Sequence, residues 1–72
     1  MPSISLKAAR INSGLTQTEA AELAGIHPQT LSKYEKDSSE IRNSLVKDLA
    51  KIYCIPADYI FLGKNLDLKR DN

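Results

Sequence analysis

Apolar residues recur along this chain at steps of three and four, and no alternating run is long enough to make a strand. Leu6, Ala9, Arg10 and Ser13 mark one face of a first helix, which Ser3 or Ser5 can cap and Gly14 ends. Ile4, Ala8 and Ile11 form a second apolar row beside it, either broadly buried or left open as a partner surface. Leu45, Leu49 and Ile52 predict a later helix capped by Asn43 or Ser44. Pro56 opens a fifth short helix, PADYIFL, with Tyr59 and Leu62 inward and Gly63 after it.

Between these lies the stretch from Thr16 to Lys36, the most informative part of the chain. Thr16 followed three residues later by Glu19 can form a capping box. Gly25 stops that helix, because a left-handed residue past a helix end is cheap only for glycine. Ile26 fills the corner and Pro28 starts the next helix, where its missing N–H costs nothing. Alanines at 20, 21 and 24 allow a close helix crossing, while Leu31 and Tyr34 pack inward with Ile26. His27, Gln29, Ser32 and Lys33 are left on the opposite face. Two helices meeting at a glycine-containing corner of this length can present the second helix to the DNA major groove. Arg10 is unusual on an inward face; it either finds a partner, for which Glu35 is the candidate, or snorkels to solvent.

Composition narrows the function classes. Seventy-two residues make one small domain, read as 3–63, with a charged tail over 64–72. A single histidine, His27, with no adjacent carboxylate leaves no catalytic triad, and there is no glycine-rich phosphate loop or metal-ligand cluster. An enzyme, a metal and a cofactor are therefore not expected. Cys54, the only cysteine, cannot form an internal disulfide and is expected to be a buried small hydrophobe. No apolar run approaches the roughly 20 residues of a membrane span and no signal peptide is visible, which points to the cytoplasm. Ten Lys and Arg against nine Asp and Glu leave +1, so a nucleic-acid site has to be a local basic face rather than a global field.

The ordered set Leu15-Thr16-Gln17, Ala21, Gly25-Ile26, Leu31, Tyr34 and Glu35 resembles the small helix-turn-helix domains of lambdoid phage repressors and Cro proteins, the Xre-like group. The closing run from Ile52 through Ile55-Pro56 to Gly63 resembles that family's last segment, so the likeness covers about residues 4–63. It implies an all-α, five-helix fold and a DNA-binding transcriptional regulator acting as a homodimer on double-stranded operator DNA. By the same resemblance, His27, Gln29, Ser32 and Lys33 are base-contacting positions, and Thr16, Gln17, Lys36, Arg42 and Asn43 lie toward phosphates. Arg10 and Glu35 match an ion pair found in part of the family. A chain of this length is expected to dimerise through the domain itself, with Ala57, Ile60 and Phe61 on the seam.

Three features depart from the family pattern: Pro28 replaces a frequent glutamine, Asp37 and Glu40 make an often basic loop acidic, and the glycine usual after the motif glutamate is absent. With the near-neutral charge and the Ile4-Ala8-Ile11 row, they motivate an alternative: a protein-binding modulator, or antirepressor, docking on a related repressor.

Overall fold

A computed structural model describes residues 3–63. Four α-helices are present among them: α1 (Leu6–Asn12), α2 (Gln17–Ala24), α3 (Pro28–Lys36) and α4 (Asn43–Tyr53), followed by one 3-10 turn at Ala57–Tyr59. The expected tail, 64–72, lies outside the described residues.

Local signals set the helix starts. Ser5 caps α1, its Oγ accepting from the Ala8 N–H at 3.1 Å. Thr16 and Glu19 complete a reciprocal capping box, with Glu19 N–H to Thr16 Oγ1 at 3.1 Å and Thr16 N–H to Glu19 Oε1 at 2.9 Å. The α4 start differs from expectation. Arg42 occupies the cap with no side-chain bond, and Asn43 is already the first helical residue.

The helices close around Leu6, Leu31 and Leu49, all fully buried. Ala20 and Ala21 are also fully buried, and α2 packs on both α3 and α4 through their short side chains. On α4 the inner face comprises Val46, Leu49, Ala50 and Tyr53, while Leu45 and Ile52 sit half-buried at its edges. The predicted stripe was thus rotated by about one residue.

The closing segment departs furthest from the sequence reading. The fifth helix shrinks to the single 3-10 turn, after which the backbone at Ile60 is extended (φ −84°, ψ 124°). Ile60 forms an isolated parallel bridge with Ile4: the Ile4 N–H donates to Tyr59 O and the Phe61 N–H to Ile4 O, both at 2.8 Å. Ile60 is consequently the buried side chain, Tyr59 is half-buried, and Leu62 is exposed. Ile4 precedes α1 rather than continuing its second apolar row. Cys54 is exposed, contrary to expectation. Tyr53 fills the inward position, and Cys54 adopts the left-handed conformation that terminates α4, with φ 58° and its N–H donating to Lys51 O and Ala50 O.

Candidate nucleic-acid interface

The α2–α3 corner is built as its residues dictate. Gly25 takes φ 72° past the end of α2, and the Ile26 N–H returns to Ala21 O at 2.9 Å. His27 caps α3: its Nδ1 accepts from the Gln29 N–H at 3.1 Å, which makes Nε2 the protonated nitrogen of the neutral ring. Pro28 follows at the first helical position. Leu31 and Glu35 are buried, and Tyr34 is half-buried against the core.

Opposite that face, Gln29, Ser32, Lys33 and Lys36 recur at i, i+3, i+4 and i+7 and share one side of α3. Gln29, Lys33 and Lys36 are exposed, Ser32 is half-buried, and His27 is exposed at the tip. The Lys33 ammonium lies 5.4 Å from the centre of the Tyr34 ring, within cation–π range.

A buried polar network fixes α3 to its neighbours. The Arg10 Nε donates to Glu35 Oε2 at 2.7 Å and Nη2 to Oε1 at 3.3 Å, a two-pronged pair. Arg10 Nη1 donates to Leu15 O at 2.8 Å, and Gln17 Nε2 donates to Glu35 Oε1 at 2.8 Å. Glu35, 6% exposed, thus ties α3 to α1 and α2, and Arg10 carries the network on to the turn after α1. Beside it, burial first and then the Glu35 charge push the Tyr53 phenol up to about 12, with Arg10 opposing. The buried Tyr53 Oη has no hydrogen-bond partner among the described residues.

A family model described as helix-turn-helix matches residues 6–60. The chain belongs to the helix-turn-helix family. It is also similar to the HTH-type transcriptional regulator ImmR of Bacillus subtilis (strain 168), 40% identical over 60 residues that cover 83% of this chain and 46% of the relative. The chain therefore spans about half the length of that curated relative.

Around this helix-turn-helix, Thr16, Lys36, Arg42 and Asn43 are exposed, while Gln17 is half-buried with its amide turned toward Glu35. The Thr16 hydroxyl already accepts inside the capping box, leaving its own hydrogen for an outside acceptor. Asp37, half-buried in the acidic loop, is engaged locally: its Oδ1 accepts from the Ser39 N–H at 3.0 Å and from Ser39 Oγ at 2.7 Å. Glu40 is exposed.

The surface proposed for a partner divides. Ile11 is 55% exposed, whereas Ile4, Ala8, Ala57 and Phe61 are half-buried. Ile60, expected on a seam, is 6% exposed because its bridge to Ile4 turns it into the core of its own chain. Leu23 on α2, 64% exposed, is the larger open apolar side chain.

Sequence reasoning missed Ser38. It is 3% exposed, its Oγ accepts from the Gly63 N–H at 3.0 Å, and its own N–H donates to Gly63 O at 2.9 Å. Its hydroxyl also lies 3.4 Å from Phe61 O and 3.3 Å from Gly63 O. Nothing in a polar run such as Asp37-Ser38-Ser39-Glu40 marks which serine turns inward. Among the described residues no group of three His, Cys, Asp or Glu is placed to hold a metal ion, and no helix is long and apolar enough to cross a membrane.

Proposed function

We infer that this protein is a sequence-specific DNA-binding transcriptional regulator that lays α3 in the major groove. The observation carrying the reading is the division of α3: one side is locked by the Leu31 contact and the Glu35 network, and the other presents Gln29, Ser32 and Lys33 in one row. Gln can bond adenine N6 and N7 as a pair, and Lys can donate to guanine O6 or N7, each good contact discriminating by about 1–3 kcal/mol. His27 Nε2–H adds a donor at the tip. Thr16, Gln17, Lys36, Arg42 and Asn43 supply the phosphate contacts, Gln17 with the amide hydrogen that Glu35 leaves unused.

A homodimer on two half-sites about 34–36 Å apart suits a motif this small. The test is selection of duplexes from a randomised pool, followed by binding titrations between about 50 and 200 mM salt. A selected duplex should bind about 10³-fold tighter than a scrambled one; equal affinity would overturn the reading. Lys33→Ala should relax base preference and shift stability by no more than about 1 kcal/mol, since Lys33 is exposed and loses only its cation–π contact with Tyr34.

The second reading, a modulator that docks on a related repressor, draws on exposed Ile11 and Leu23. Ile11→Glu with Leu23→Glu should then abolish repressor capture while leaving DNA selection intact; undiminished capture excludes it.

A further inference from the structure

The first turn of α3 leaves no backbone N–H for an outside acceptor. Pro28 carries none, the Gln29 N–H donates to His27 Nδ1 at 3.1 Å, and the Thr30 and Leu31 N–H groups donate to His27 O at 3.0 and 3.2 Å. What remains at this end of the helix is the exposed His27 ring. Its hydrogen-bonding sense is already fixed. With Nδ1 accepting from Gln29, the neutral imidazole carries its proton on Nε2, which points away from the helix and can only donate. Pro28 reinforces the arrangement. A residue before proline favours extended backbone, and His27, at φ −74° and ψ 142°, has that conformation. Its neighbours in the row are less committed: the Gln29 amide both donates and accepts, and the Lys33 ammonium sits on a flexible stem.

We propose that His27 is the specificity-determining residue at the tip of α3 and that it selects a guanine in the operator, donating from Nε2 to N7 or O6. The assignment rests on the DNA reading above. Guanine presents two adjacent acceptors in the major groove and no donor beside them. Adenine sets its N6 amino donor next to N7, thymine sets a methyl group near O4, and cytosine offers only the N4 donor. A ring free to choose its tautomer would tolerate any of these; one held by the Gln29 N–H does not. The proline that removes a base-reading amide from position 28 thus fixes a donor at position 27.

The experiment selects duplexes from a randomised pool with the parent and with His27→Ser, whose serine keeps a good helix cap but is too short to reach a base. One position of the selected site should hold a G·C pair with the parent and lose its preference with the variant, the other positions staying as they were. Exchanging that pair for A·T should weaken parent binding about tenfold and leave variant binding unchanged. Equal weakening in both, a variant that alters no position, or an altered position that holds A·T overturns the guanine assignment and leaves the DNA reading standing. Selection of no duplex overturns the DNA reading and the assignment with it. A second measurement needs no variant. In nitrogen-15 spectra of the histidine ring, free and with the selected duplex, the proton should sit on Nε2. A proton on Nδ1 of the neutral ring in the complex overturns the proposal even where guanine is selected.

Discussion

The α2–α3 corner and the closing segment from Tyr53 to Gly63 are of similar importance to the fold but are specified differently. In the corner every step has a local cause: a capping box, a left-handed glycine, a proline at the first helical position. In the closing segment the decisive bonds come from afar, Ile4 to Tyr59 and Phe61, and Ser38 to Gly63. The proposed recognition surface is therefore locally encoded, whereas its bracing depends on distant parts of the chain folding together.

Arg10→Ala is the severest way to break that bracing. It would leave Glu35 buried with Gln17 as its remaining partner, and losing one member of a buried pair costs about 3–5 kcal/mol. A domain with only about 5–15 kcal/mol in hand should lose much of its melting temperature. Replacing Arg10 and Glu35 together by Met and Leu should cost clearly less than the two single losses added together; a cost equal to that sum would show that the charge pair contributes no coupling.

Next in size is an alkaline effect at Tyr53. Its folded pKa of about 12 exceeds the unfolded value near 10, so the folded phenol keeps its proton longer. Stability from this group is complete below pH 10 and falls as pH rises toward 12, by at most about 2–3 kcal/mol. Tyr53→Phe removes both that slope and an unpartnered buried hydroxyl. Chemical denaturation across the alkaline range should show the variant falling less than the parent.

Ser38→Ala should cost about 1–2 kcal/mol, because the Gly63 N–H loses its acceptor. Hydrogen exchange should localise the loss to residues 60–63 and spare the corner. The smallest change is Cys54→Gly. The left-handed cost of about 1–2 kcal/mol disappears, offset by glycine's unfolded-chain entropy of roughly 0.5–1 kcal/mol, so a gain near 0.5–1 kcal/mol should appear in thermal melts.

The same contrast explains what could be read from the sequence. The all-helical class, the corner and the exposed row of α3 follow from caps, periodicity and the family likeness. Cys54 was misplaced because being left-handed depends on where α4 stops, and its apolar neighbours gave no hint of that. The fifth helix was over-extended because PADYIFL has helical spacing, yet two long-range backbone bonds hold its second half extended. Ser38 was invisible for a related reason: its partners lie more than twenty residues away in sequence.

The Ile4–Ile60 bridge has a kinetic corollary. It joins the two edges of the described domain, so most of the chain lies inside the loop it closes. Closing such a loop early is entropically unfavourable, and contacts between neighbouring helices are available first. Folding should therefore assemble α2, α3 and α4 before the edges meet, and unfolding should begin by parting them. The clasp is last in and first out, which allows the protein to open at its edges while its corner stays formed.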